Sequence, residues 1–208
     1  MTDVDQVLGS LSLEQKVAQV SCGGRLNEMP RIVPDGLDAG ALLDQFPNGV
    51  GQLGRPSLER SADESYELTA SVQQALRDAD QLPALFNEEG VHGLMGGGAT
   101  VFPSALAMAA TWEPALVEQV YTAVALEARN RGSNYVYAPV LDLARDPRWG
   151  RVEETFGEDP FLVSQLGLAA VRGLQGRQFR IAPDRVLACA KHFVGHGVPQ
   201  AGNNGGPV

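Results

Sequence analysis

Three short stretches hold most of the side chains that could do chemistry: "NEEGVHG" at 87–93, "LDLARDPRWGR" at 141–151 and "KHFVGHG" at 191–197. They supply Glu88, Glu89 and His92, then Asp142, Arg148 and Arg151, then Lys191, His192 and His196. Carboxylates, cations and imidazoles in one concave place suit a ligand rich in hydroxyl groups. An Arg or Lys beside a carboxylate keeps both charged, and each then makes charge-assisted hydrogen bonds. Trp149 and Phe193 add apolar faces against which a ring can pack. A lysine at the end of an apolar strand is costly without a partner, which singles out Lys191 and its neighbour His192.

The same charges have a plainer reading. Arg148, Arg151, Glu153, Glu154, Glu158 and Asp159 can pair with one another and brace a long loop. Glu158 and Asp159 also suit the positive end of the helix that follows them. The glycines of "GLMGGGAT" lack the preceding strand and the following Gly-Lys-Ser/Thr of a phosphate loop. His192 and His196 are four apart but flank Gly195 and Gly197, so they do not share a helix face as zinc-protease ligands do. No metal and no cofactor is expected.

Elements that alternate along the chain must position these residues. Ser12 to Gln15 and Ser61 to Glu64 form capping boxes. The first opens a helix with Leu13, Val17 and Val20 on one face, and the second a helix with Leu68, Val72, Leu76 and Ala79. A further helix is predicted from near Thr111, with Leu116, Val120 and Val124, ending at Gly132. The last has Asp159 as N-cap, Pro160 at its first position, a stripe of Leu162, Leu166, Ala170 and Leu174, and Gly176 as its stop. Apolar runs at "GVGQL", "PALFN", "YVYAPVL" and "RVLACAKHF" read as parallel strands covered on both faces. The order is that of an α/β chain. Long stretches follow two of the strands, across 88–110 and 142–159, and sites in such folds lie at the carboxyl ends of strands. The three chemical stretches therefore belong on one rim.

Composition narrows the partners. The formal net charge is −9 with no Lys/Arg cluster, which argues against nucleic acid or an anionic membrane. No apolar run is long enough to span a bilayer. The start, "MTDVDQVLGSLSLEQK", has no signal-peptide pattern, so a cytoplasmic location is expected. Cys22 and Cys189 are too few and too far apart for a disulfide framework or a zinc motif.

The order of these motifs resembles glycoside hydrolase family 3, of the β-glucosidase and β-xylosidase type. "VLDLARDPRWGRVEETFGEDPFLVSQLG" and "ACAKHFVGHG" are similar to its two signature segments. "LPALFNEEGVHGLMGGGATVFPSALAMAATWEPALV" is similar to the segment before them, and "FPNGVGQLGRP" to the first strand. The resemblance implies an N-terminal (β/α)₈ barrel or a close variant, of which this chain would hold about four β/α units. It implies a retaining hydrolase of terminal β-D-xylosyl or β-D-glucosyl residues, acting on oligosaccharides or aryl and alkyl β-glycosides.

By the same resemblance Glu89 would bind hydroxyls on the non-reducing side, Arg151 would bind the sugar in the innermost subsite, and Lys191 and His192 would hold further hydroxyls. None of the four would be nucleophile or acid/base. The resemblance places the nucleophilic aspartate and the acid/base beyond residue 208, so the expectation is an incomplete barrel domain. Such a piece lacks the rest of the same chain, and is expected to be inactive and prone to aggregate alone. Two other readings stay open: a non-catalytic sugar-binding protein, and a vestigial truncated one.

Overall fold

The computed structural model describes residues 4–29, 32 and 36–207. Among them, five parallel strands form one sheet in sequential order: β1 Cys22–Arg25, β2 Gln52–Gly54, β3 Leu85–Glu89, β4 Tyr135–Tyr137 and β5 Leu187–Ala188. Around them run α1 Val4–Ser10, α2 Leu13–Gln19, α3 Ala39–Gln45, α4 Ala62–Asp78, α5 Ala105–Ala109, α6 Pro114–Asn130 and α7 Pro160–Gln175. Each strand pairs with the next in the chain and the connections carry helices, which is the winding of a β/α barrel.

The sheet has one more strand than the apolar runs indicate. β1 is "CGGR", with two glycines and an arginine, so no hydrophobic pattern announces it. It forms where it does because Gly23 and Gly51 admit close neighbours. A side chain at Gly23 would meet the ring of Phe46 at 2.7 Å.

Register fixes which side chains share a face. Gly54 pairs with Asn87, Asn87 with Tyr135, and Glu89 with Tyr137. Side chains alternate along β3, so Asn87 and Glu89 lie on one face while Phe86 and Glu88 lie on the helix-covered face. The latter face is buried as expected: Leu53, Phe86 and Val136 are fully enclosed. The opposite face is not the continuous apolar surface that the strand runs suggest. It carries a polar group in which Asn87 and Tyr137 both donate to the side-chain oxygen of Gln52, at 3.2 and 3.1 Å.

Two hydrophobic clusters support the sheet. One joins α3 and α4 to β2 through Leu42, Leu53, Leu68, Val72 and Leu76. The other joins α5, α6 and α7 to β4 through Met108, Tyr121, Val136, Leu166 and Leu174. The capping boxes at Ser12 and Ser61 and the Asp159–Pro160 start of α7 are all present, and Gly176 ends α7 at φ 81°. α6 begins at Pro114 with Glu113 as its cap, rather than near Thr111, whose hydroxyl instead donates to Met108 O. Its buried stripe is Val117, Tyr121, Val124, Ala125 and Ala128, so Leu116 is left 41% exposed. Tyr121 can take the core position because its hydroxyl donates to Val91 O at 2.7 Å. The stripe Leu13, Val17 and Val20 lies exposed. No helix among the described residues is long and apolar enough to cross a membrane.

Candidate functional site

A pocket of about 400 Å³ opens at the carboxyl ends of the strands, lined by Arg55, Glu89, His92, Met95, Arg151 and Glu154 among others. Glu89 is the last residue of β3, and Arg55 follows the end of β2 directly. Adjacent parallel strands thus deliver a carboxylate and a guanidinium side by side. Arg55 Nη2 donates to Glu89 Oε1 at 2.9 Å, and Lys191 Nζ to Glu89 Oε2 at 3.1 Å. Each oxygen of Glu89 has one cationic partner and keeps acceptor capacity for another donor.

Lys191 reaches Glu89 because the backbone beyond β5 stays in register with the one beyond β4. Lys191 N donates to Pro139 O at 3.1 Å, and Leu141 N to Lys191 O at 2.6 Å. His192 is held by a single oxygen. Asp142 Oδ2 accepts from His192 N at 3.1 Å and lies 2.7 Å from its Nδ1. That contact puts a proton on Nδ1 and leaves Nε2 for a ligand. The loop carrying His196 docks on the same wall through Gly197, where a side chain would stand 2.7 Å from Leu143 O.

Arg151 comes from the loop after β4 and forms a two-point pair with Glu154, its Nη2 lying 2.7 Å from Oε2. Hydrogen bonding from Arg151 holds the Glu154 carboxyl below the ordinary carboxylate range, against the opposing effect of burial. The third contact of Arg151 is from Nη1 to His196 Nε2 at 3.0 Å.

The structure thus brings Glu89, Arg151, Lys191 and His192 to one end of the sheet, with His92 exposed at the pocket mouth. It removes others from the expected rim. Glu88 lies on the helix side, 1% exposed, because it follows Asn87 and precedes Glu89 in a strand where faces alternate. Arg148 turns to Asp146, whose carboxyl it holds down to about 2 by hydrogen bonding. Trp149 is 2% exposed, its indole N–H donating to Asn204 Oδ1 at 2.9 Å, so it braces the loop and offers no open ring face. Phe193 stands out in solvent. In "GLMGGGAT" the carbonyl of Gly97 accepts from Arg131 at 2.9 Å, and that loop is tied to the fold by a cation. Asp159 caps α7 by accepting from Leu162 N, as helix-terminal charge.

Arg55 is the residue that sequence reasoning passes over. It stands 34 positions from Glu89, and only the parallel pairing of β2 with β3 joins them. A basic residue directly after a short strand, in "GQLGR", was the available signal.

The chain resembles known proteins in both sequence and fold. The family model described as the Glycosyl hydrolase family 3 N terminal domain matches residues 14–207. A β-xylosidase of Formosa agariphila is 45% identical over 132 residues, which are 60% of this chain and 18% of that protein. The periplasmic β-glucosidase of Salmonella typhimurium is 38% identical over 59% of this chain and 15% of its own length. Among solved structures, a β-glucosidase from Erythrobacter marinus matches with TM-score 0.89 at 35% identity, over 98% of this chain and 27% of that one. The Listeria innocua β-glucosidase in complex with glucose matches with TM-score 0.76 at 31% identity, over 96% of this chain and 27% of that one. The chain therefore spans well under a third of the length of each of these relatives.

Proposed function

We propose a function from one premise: the chain belongs to glycosyl hydrolase family 3, through the N-terminal domain of that family. On that premise the pocket at the strand ends holds a terminal β-D-xylosyl or β-D-glucosyl residue, and the protein hydrolyses β-glycosides with retention. One observation carries the reading. Glu89, clamped between Arg55 and Lys191, lines the same pocket as Arg151. A sugar hydroxyl both donates and accepts, so vicinal hydroxyls are met by a carboxylate and cations placed together. Lys191 has N–H groups to spare beyond its bond to Glu89, and Arg151 has two beyond its bonds to Glu154 and His196.

In this reading Glu89 takes hydroxyls on the non-reducing side, Arg151 takes the ring in the innermost subsite, and Lys191 and His192 take further hydroxyls. A retaining mechanism also needs two carboxyl groups about 5 Å apart that flank the bond. Glu89 and Glu154 are each tied to cations, and Asp142 is tied to His192. These three hold other side chains, so we assign the nucleophile and the acid/base to neither them nor Glu88, which is buried on the helix side of the sheet. We place both in sequence that continues the barrel, and expect residues 1–208 alone to release no aglycone. Glu89 has one methylene more than an aspartate and fills space near the ring, which favours a pentose over a hexose with its hydroxymethyl group.

The test is hydrolysis of nitrophenyl β-xyloside and β-glucoside by the protein as its cell makes it, with the anomer of the released sugar followed by NMR. Early appearance of the β-anomer supports the proposal, and early α-anomer overturns retention. A second reading is favoured by the pairing of Glu89 and Glu154 with cations: a protein that binds sugar without cleaving it. Saturable binding of xylose or glucose with no aglycone release would select it.

A further inference from the structure

The loop beyond β5 carries an imidazole for which the sugar-binding reading has no task. His196 Nε2 lies 3.0 Å from Nη1 of Arg151. A guanidinium has only donors, so Nε2 must accept, and the ring is then neutral with its proton on Nδ1. Two rings fix its plane: Trp149 meets it edge-on, centroids 5.4 Å apart, and His192 lies tilted at 4.4 Å. Trp149 is itself anchored by Asn204. The charged groups that face His196 are Asp142, Arg151 and Glu154 from the loop after β4 and His192 from its own loop. Burial, with His192 and Arg151, pushes the His196 pKa down, and Asp142 and Glu154 oppose this more weakly.

Arg151 is thereby held at three nitrogens. Nε and Nη2 go to Glu154 and one hydrogen of Nη1 goes to His196, which leaves one N–H on each Nη for a ligand. We propose that His196 is a positioning residue: as a neutral acceptor it sets the roll of the Arg151 guanidinium, and so the direction of the two N–H groups left for the sugar. The role rests on the pocket being a sugar site. Protonated His196 cannot accept, and it sets a second positive charge against the Arg151 guanidinium. Sugar affinity should therefore fall as the pH drops through the His196 pKa, on the acid side of an ordinary histidine.

The experiment combines imidazole ¹⁵N shifts of His196 with xylose titrations of the intact protein between about pH 5 and pH 8. His196→Leu removes the acceptor and should weaken xylose binding about tenfold at neutral pH. His196→Gln restores an acceptor that does not titrate. It should recover part of that loss and flatten the acid-side fall in affinity. If the Leu variant does not fold, the Gln comparison alone decides. A pH profile for His196→Gln parallel to the wild type overturns the proposal. So does an Nε2–H tautomer in a protein that binds xylose, and that result leaves the sugar-site reading standing. An Nδ1–H tautomer with no binding of xylose or glucose at any pH overturns the sugar-site reading instead, while the Arg151 contact holds.

Discussion

Glu88 and Glu89 are consecutive in β3 and end on opposite sides of the sheet. Glu89 meets Arg55 and Lys191 in the pocket. Glu88 is enclosed on the helix side, where its Oε1 accepts from Ser57 N at 2.9 Å and from Ser133 Oγ at 3.2 Å. Its Oε2 has no partner among the described residues. Ser57 lies two positions beyond Arg55, so the buried carboxyl also ties down the loop that presents Arg55 to Glu89.

This geometry predicts a pH-dependent stability. Burial raises the Glu88 pKa above 4.5, and hydrogen bonds from Ser57 and Ser133 offset that only in part. A raised folded-state pKa means that the folded chain holds the proton more tightly than the unfolded one. The contribution is full below 4.5 and is lost as pH rises through the folded value. Glu88→Gln keeps an oxygen for Ser57 and removes the titration. Urea melts should show the variant gaining stability on the wild type as pH rises from acid to mildly alkaline. Identical pH slopes would show that Glu88 contributes nothing to them.

Substrate choice should follow Glu89. Glu89→Asp withdraws the carboxylate by one methylene and opens the space a hydroxymethyl group needs. One methylene is worth roughly tenfold or more in discrimination. The ratio of kcat/KM for xyloside to that for glucoside should fall by about that factor in the protein as its cell makes it. An unchanged ratio would mean that Glu89 holds hydroxyls without setting ring size.

What could be read from the sequence was the part governed by local chemistry. Asp159, Pro160 and Gly176 bound α7 because cap, first turn and stop each need a particular backbone. The gathering of Glu89, Arg151 and Lys191 followed from strand ends sharing one rim. Trp149 and Glu88 were misplaced because composition does not tell which face of a mixed strand or loop turns inward. Arg55 was missed because its partner is distant in sequence, and β1 because two glycines carry no hydrophobic period.

The α6–α7 contact depends on Gly173. A side chain there would stand 2.5 Å from Glu118 O and 2.8 Å from Tyr121 Cβ, neither of which can move without shifting α6. Gly173→Ala should cost about 2 kcal/mol in thermal or urea unfolding, outweighing the better helix propensity of alanine. Gly9 in α1 has nothing within 4 Å of the same position. Gly9→Ala should be neutral or slightly stabilising. Equal effects at the two sites would refute the packing argument.

The kinetics of Lys191 and His192 variants distinguish holding a sugar from pulling it toward the transition state. Lys191 donates to Glu89, and His192 is oriented through two hydrogen bonds to Asp142, so both enter the site at fixed angles. Bonds to ring hydroxyls strengthen as oxocarbenium character develops, and interactions made only then appear in kcat. Lys191→Met and His192→Phe should each lower kcat about a hundredfold or more, with smaller changes in KM. Asp142→Ala should reproduce part of the His192 effect, because it frees the ring without removing it. A rise in KM at unchanged kcat would make the pair uniform binders, and catalysis would then owe them affinity alone.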